Sequence, residues 1–470
     1  MTERLIIIGG VAAGMSAAAK ARRTNPDLEI VVYEKSGYVS YGACGFPYFI
    51  KGDVPRMEDL IARTPAQMAA QGVTALVHHE VVDIDPARRT VRVVNHASGA
   101  AFNDHWDKLI ITTGASVQRP PLPGAHLPGV FTLRTVEDAL AIRRWLVEEK
   151  PRCGVIVGAG YIGLEMAEAL SANGVDVTIV EMADQVMPGM DADVAALILT
   201  ELQAQGVSVR LRQPVKSFIG PMLLHEVVRE VAAKVQGEER EGNGRLRIRE
   251  VLTQSSILAA DVVIFGAGGR PDVTLAQAAG IQLGQSGAIA VDEQQRTNVP
   301  GIWAAGAVAE AQHLVWGKPT YWPLAAVASK QGRVAGTNAA GGLAKFGGVV
   351  GTAVVKAFDL AIAVTGLTEK QAAAAGFNAA SVTIEAASRA HYMPGSAPVH
   401  VKLVYDKESE RLLGAQMVGK DGVAKRIDVI AAALHAGWTV GDLADLDLSY
   451  APPFAPVWDP ILVAANVARR

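Results

Sequence analysis

The apolar positions of this chain fall into short unbroken runs, most of them closed by glycine. Leu5-Ile6-Ile7-Ile8 has no polar interruption, the pattern of a strand covered on both faces. Gly9-Gly10-Val11-Ala12-Ala13-Gly14 follows, then an alanine-rich helical stretch to about Arg23. A second run, Ile30-Val31-Val32-Tyr33, ends at Glu34. Strand, glycine turn, helix, strand and acid is the order of a dinucleotide-binding unit. In such a unit pyrophosphate rests on the free N–H groups of the helix N-terminus, and the acid accepts hydrogen bonds from ribose hydroxyls. Val11 stands where the usual second glycine would be.

The same pattern returns downstream. Gly154-Val155-Ile156-Val157 leads into Gly158-Ala159-Gly160-Tyr161-Ile162-Gly163, a helix over Leu164 to Ala172, and the strand Val175 to Val180, which ends at Glu181. All three glycines of the fingerprint are present, and the acid lies about 20 residues on. Glu181 matches the acid that binds a ribose 2′-OH and repels a 2′-phosphate; Met182 and Ala183 follow it, not arginine. NADH is therefore expected over NADPH.

Between the two units, Trp106 to Ala115 reads as a strand entering the glycine turn Thr113-Gly114, and Pro120, Pro121, Pro123 and Gly124 form an extended connector. Glu238 to Gly244 reads as a solvated turn, and Asp261 to Gly266 as a strand that turns back at Gly268-Gly269-Arg270-Pro271. Thr297 to Gly306 closes another strand on glycine. After Tyr321-Trp322-Pro323 a helix is expected over Leu324 to Asn338, its positive end aimed at what precedes it. Glycine pairs at 341–342 and 347–348 mark a boundary. Beyond Thr352 the pattern changes to strands at Val354 to Phe358, Ser381 to Ala386 and Val399 to Tyr405 and a helix at Lys425 to His435, an α+β unit without a nucleotide turn.

Composition narrows the class. A chain of 470 residues is long for one core; a half-apolar composition with 47 glycines fits a packed α/β protein. A net charge of −3 gives no reason to expect a nucleic-acid surface. Two cysteines cannot build a disulfide framework, and the apolar run at Leu5 to Ile8 is too short for a leader or a span. A soluble cytoplasmic protein without a metal site is expected.

One of those cysteines lies in Ser40-Tyr41-Gly42-Ala43-Cys44-Gly45-Phe46-Pro47-Tyr48. Flanking glycines let backbone and substrate approach the sulfur, and Pro47 suits the first turn of a helix whose positive end could help ionise the thiol. A buried small hydrophobe is the alternative. Cys153 has no such setting and reads as structural. Tyr392, in His391 to Gly395, and Tyr450, in Leu448 to Phe454, stand out in the last unit, although tyrosines there are more often packing residues with one satisfied hydroxyl.

Two dinucleotide units, a cysteine after the first acid and an α+β tail resemble the flavin-dependent pyridine nucleotide–disulfide oxidoreductases over nearly the whole chain. The resemblance implies two Rossmann-like domains, an FAD domain at 1–118 and 260–340 and an NAD(P)H domain at 119–259, plus a C-terminal α+β dimerisation domain at 345–470. The classical disulfide reductases of the family carry two cysteines separated by four residues; Phe49 fills the second place here, which is the single-cysteine pattern. That branch holds coenzyme A-disulfide reductases, persulfide and polysulfide reductases, NADH oxidases and peroxidases. The oxidases and peroxidases have a histidine where this chain has Ala12, and Tyr450-Ala451-Pro452-Pro453 and the Tyr392 segment look like the coenzyme A branch, whose tyrosine acts from the partner subunit. No rhodanese domain is expected after Arg470, against the two-domain persulfide reductases. Two positions depart from the pattern. Ala307 replaces the aspartate that binds the ribityl chain, a loss of about 1.5–3 kcal/mol for one charge-assisted bond. Ala43 replaces an asparagine before the cysteine.

The resemblance further implies FAD on Gly9, Gly10, Val11, Ala12, Gly14, Glu34, Lys35, Ser40, Thr113, Gly114, Gly268, Gly306, Ala307, Pro323, Leu324 and Ala325, and NADH or NADPH on Gly158, Gly160, Tyr161, Ile162, Gly163 and Glu181, with Tyr161 covering the flavin. Cys44 is the expected nucleophile, Tyr450 and Tyr392 its helpers in a homodimer, and Ser40, Arg22, Lys425 and Arg426 candidate contacts to coenzyme A. The expected reaction is reduction of coenzyme A disulfide, or a related persulfide or polysulfide, through a Cys44 mixed disulfide. The alternatives are an NADH oxidase and a degenerate flavoprotein or redox sensor.

Overall fold

A computed structural model of the chain describes residues 2–117, 119–220, 247–266 and 268–469; the turn expected at Glu238 to Gly244 lies outside them. The first sheet has five parallel strands in the order Ile302–Ala304, Lys108–Ile111, Arg4–Ile8, Glu29–Tyr33 and Thr74–Leu76. Leu5, Ile6 and Ile7 are fully buried, as an unbroken apolar run requires of a central parallel strand. Helix Ala12–Thr24 covers the sheet and runs alongside helix Ala325–Ala339. The two helices touch through glycine: a Cβ on Gly332 or Gly336 would lie 2.2 Å from the carbonyl oxygen of Ala13 or Ala17.

The second sheet repeats the plan, with parallel strands in the order Ser208–Arg210, Asp176–Val180, Cys153–Val157, Val262–Phe265 and Val130–Thr132. This corrects the boundary expected at 260. Val262–Phe265 pairs with Cys153–Val157, and the chain crosses back only at Arg270–Pro271, which lies antiparallel to Ala115–Ser116. An apolar strand fits either sheet equally well, so its residues alone could not decide which one it joins.

The C-terminal unit is a five-stranded antiparallel sheet in the order Ala353–Ala357, Leu360–Gly366, Leu412–Gly419, Pro398–Asp406 and Ala379–Ala387. Helices Val423–Ala436 and Pro460–Ala468 pack against it. Two of the three inner strands, Leu360–Gly366 and Leu412–Gly419, are almost wholly buried and lack the alternation that marks a half-exposed strand. No helix of the described residues is long and apolar enough to cross a membrane.

Two charged clusters tie this unit to the rest. Lys402, only 5% exposed, lies 3.3 Å from Asp191, 3.0 Å from Asp193 and 3.1 Å from Glu369. Glu168, on helix Tyr161–Ala172, accepts from Lys51 at 3.0 Å, from Lys356 at 2.7 Å and from the backbone N–H of Phe358 at 2.8 Å. A buried charge whose partner is removed loses stability by about 3–5 kcal/mol. Lys402→Met is therefore expected to lower the thermal midpoint clearly in a calorimetric scan, while the exposed Lys425→Met leaves it unchanged.

Candidate active site

Both glycine turns are built by the same contacts. A Cβ on Gly14 would lie 1.8 Å from the carbonyl oxygen of Gly9, and one on Gly163 would lie 2.1 Å from that of Gly158, so neither helix could seat on its strand with any other residue. Gly9 and Gly158 have φ of 101° and 105°. Glu34 accepts from the N–H of Gly10 at 2.7 Å and of Ser36 at 2.8 Å; Glu181 accepts from the N–H of Ala159 and of Ala183, both at 2.8 Å. Backbone donors on both oxygens lock each carboxylate at the end of its strand. A Cβ on Gly160 would meet nothing within 4 Å, which leaves the second turn open to a ligand. Neither helix has a side-chain cap, so first-turn N–H groups remain free for an anion.

A cavity of about 570 Å³ opens at the first turn, lined by Gly9, Val11, Glu34, Lys35, Thr113 and Gly114. Val11 puts a side chain where the second unit keeps Gly160. The sequence reading missed several of its walls: Glu80 to Val82, Arg134 and Asp272, which lies 3.9 Å from Lys35. None belongs to a motif, and only chain folding brings them here. Gly306, where a Cβ would lie 2.7 Å from that of Ala13 on the first helix, has φ 85° and donates its N–H to the buried Gln331 at 2.9 Å, while Ala307 accepts from the Tyr321 hydroxyl at 3.2 Å through its carbonyl. Burial pushes Tyr321 up to about 12. Pro323, Leu324 and Ala325 form the uncapped start of helix Ala325–Ala339, and Gly268 has φ 33°.

Cys44 lies on a single helical turn, Ala43–Gly45, ahead of helix Phe46–Lys51, in which Pro47 occupies the first turn as expected. Ser40, four residues earlier, is held at φ 52° by an N–H bond to the Gly10 carbonyl at 2.8 Å. A left-handed serine is uncommon, and here it turns the cysteine segment out of the first glycine loop. Cys44 reaches solvent. Burial and neighbouring groups act on the thiol in opposite directions. Burial, then the charge of Glu165, push its pKa up; Arg134 and its own backbone N–H pull it down. Helix Phe46–Lys51 packs on helix Tyr161–Ala172, which brings Glu165 of the second unit to the thiol of the first. Burial, with the charge of Glu168, pushes the Glu165 carboxyl up to about 7. Tyr161 and Ile162 begin the same helix, and burial raises the Tyr161 hydroxyl.

Tyr392 and Tyr450 come together at the surface, 63% and 48% exposed, and Tyr450 is raised by its hydrogen bond to Tyr392. Phe454, Val457 and Trp458 are exposed nearby in sequence. One of the expected phosphate contacts is corrected, and another has partners within its own chain. Arg426 is buried and bonded to Asp459, and Arg22 is committed to the carbonyls of Pro26 and Gly72. Lys425 remains exposed, paired with Asp428 at 3.0 Å. Among the described residues no cluster of acidic, histidine and cysteine side chains could hold a metal ion.

Residues 3–332 match the pyridine nucleotide-disulphide oxidoreductase family, and residues 352–460 match the dimerisation domain of that family. The chain is 39% identical to the NAD(P)H coenzyme A polysulfide/persulfide reductase of Pyrococcus horikoshii, over 100% of this chain and 99% of that protein. It is 30% identical to the coenzyme A disulfide reductase of Staphylococcus epidermidis, over 96% of this chain and 97% of that one. Its structure superposes on an NAD-dependent persulfide reductase from A. fulgidus with a TM-score of 0.90 and 38% identity, covering 99% of this chain and 83% of that chain. The P. horikoshii relative, named for polysulfide/persulfide reduction, is matched over 99% of its own length, so an appended rhodanese domain does not separate the two activities. With both halves of the chain matched, the protein belongs to the pyridine nucleotide-disulphide oxidoreductase family.

Proposed function

We propose that the protein is an FAD-dependent NAD(P)H oxidoreductase that reduces coenzyme A disulfide, or a related coenzyme A persulfide or polysulfide, through Cys44. The observation that carries the reading is a solvent-accessible, glycine-flanked thiol at the contact between two dinucleotide units. The names of the relatives add the substrate class. The free cysteines fit a reducing compartment, the cytoplasm.

The first cavity suits FAD: a glycine cradle, uncapped helix N-termini, an oriented Glu34 and a second helix start at Leu324. Ala307 offers no carboxylate there, and the Tyr321 hydroxyl already bonds its carbonyl. When bound, FAD supplies the two-electron relay between a nicotinamide and a disulfide. The second cradle suits NADH, because the fixed Glu181 carboxylate accepts from a ribose 2′-OH and repels a 2′-phosphate. Tyr161, at the first position of that helix, is the side chain poised to cover the ring system.

At Cys44 the thiolate attacks one sulfur of the disulfide, forming a Cys44–coenzyme A mixed disulfide and releasing one coenzyme A thiolate. Two electrons from the nicotinamide then cleave the mixed disulfide, restoring the Cys44 thiolate and releasing the second coenzyme A. Tyr450 of the partner subunit, backed by its own chain's Tyr392, donates a hydrogen bond to the leaving sulfur. Arg134 and the backbone N–H at Cys44 stabilise the thiolate, and Glu165 opposes it until it takes up a proton. For the coenzyme A phosphates the side-by-side helices Ala12–Thr24 and Ala325–Ala339 offer a better surface than Arg22 or Arg426. There Lys20, Lys330 and Arg333 line a cavity of about 440 Å³, and among the described residues no carboxylate pairs with these three.

Anaerobic NADH consumption with coenzyme A disulfide tests the reading. Rapid turnover, slower with NADPH and abolished in Cys44→Ser, is expected; NADH loss only when oxygen is admitted would make the protein an oxidase. Alkylation of Cys44 is expected to rise with pH across the neutral range, because its thiol is raised. In Glu165→Gln the negative neighbour is gone, so at pH 8, where Glu165 is otherwise ionised, alkylation is expected to run severalfold faster. An unchanged rate would remove Glu165 from the control of the thiol.

A further inference from the structure

Arg426 is the most heavily engaged cation of the C-terminal unit. It lies on helix Val423–Ala436 and is 8% exposed; its partner Asp459 is 7% exposed. The guanidinium Nε donates to both Asp459 oxygens, at 2.9 and 3.2 Å. Nη2 donates to the Ser388 carbonyl at 2.8 Å, and Nη1 to the Gly422 carbonyl at 3.2 Å. One planar fork therefore grips three chain segments, which a lysine ammonium cannot do in the same geometry.

Two of those segments carry the exposed tyrosines. Ser388 opens the loop that holds Tyr392; its N–H donates to the Ala397 carbonyl at 2.8 Å and its hydroxyl accepts from the Ala397 N–H at 3.2 Å, closing the loop on itself. Asp459 ends the loop that holds Tyr450 and caps helix Pro460–Ala468 through the Ile461 N–H at 3.0 Å. The loops meet directly where the Ala390 N–H reaches the Pro452 carbonyl at 3.2 Å. Arg389 adds a second ion pair, to Asp421. Both tyrosines lie in loops without regular structure, so their common position depends on these anchors.

We propose that Arg426 is a positioning residue, which by holding Ser388 and Asp459 together fixes Tyr392 against Tyr450 and so sets how well the tyrosine pair stabilises the leaving thiolate. The inference rests on the role given above to the tyrosines. Arg426→Lys keeps the charge but satisfies one anchor at a time.

The test is anaerobic turnover of the FAD-loaded dimer with coenzyme A disulfide, beside stopped-flow reduction of the flavin by NADH. In Arg426→Lys kcat is expected to fall about tenfold, with flavin reduction by NADH and dimer elution unchanged. Tyr392→Phe is expected to lose the same factor, and the double variant Arg426→Lys/Tyr392→Phe no more than either alone. Should Arg426→Lys fail to fold, Asp459→Asn, which keeps the helix cap, is read in the same way. A wild-type kcat in the folded Arg426 or Asp459 variant, with Tyr392→Phe impaired, overturns the positioning role and leaves the tyrosines standing. An equal loss in both half-reactions, or losses that multiply in the double variant, also overturns it. Full activity in both Tyr392→Phe and Tyr450→Phe overturns the tyrosine role itself, and this inference with it.

Discussion

Everything in this molecule depends on two close approaches of backbone to backbone, Gly14 on Gly9 and Gly163 on Gly158. Each lets a helix begin directly at the end of a buried strand, with its free N–H groups at the mouth of a cavity. Each also fixes an acid, because the N–H after the first glycine is what holds Glu34 or Glu181 in place. A methyl group at either glycine would force strand and helix apart, and both the anion cradle and the acid would be lost together. The chain uses one solution twice, and the cysteine segment lies between the two copies.

That arrangement has a cost for the thiol. The contact between helices Phe46–Lys51 and Tyr161–Ala172 that brings the two units together also brings Glu165 beside Cys44. Glu168, three residues on, is paired with Lys51 and Lys356 yet still raises Glu165, the carboxylate whose charge opposes the thiolate. The same Glu168 bonds the third unit through Lys356 and Phe358. The junction that aligns the domains is thus continuous with the junction that tunes the nucleophile.

Much of this was legible because it is local. Unbroken apolar runs ending on glycine announced the central strands, and an acid at the end of the following strand announced each cradle. Glycines on both sides of Cys44 marked the thiol. What could not be read was whatever depends on the partner of a charged side chain. Arg426, Lys425 and Arg22 look alike along the chain, yet one is a buried anchor, one is a surface pair and one holds two carbonyls. Charged residues are seldom buried unless paired, and Asp459 lies 33 residues from Arg426, with no motif between them. Glu165 and Arg134 escaped for the same reason. Strand Val262–Phe265 was assigned past its domain boundary because its apolar residues suit either sheet.

The central claim is that Cys44 carries the substrate as a mixed disulfide. Its most direct test is peptide mass analysis of the protein after anaerobic exposure to coenzyme A disulfide without NADH, followed by acid quenching. A mass increase of one coenzyme A on the peptide bearing Cys44, removed by adding NADH to the FAD-loaded protein, is the predicted result. An unmodified Cys44 with coenzyme A on Cys153, or on neither cysteine, would contradict it.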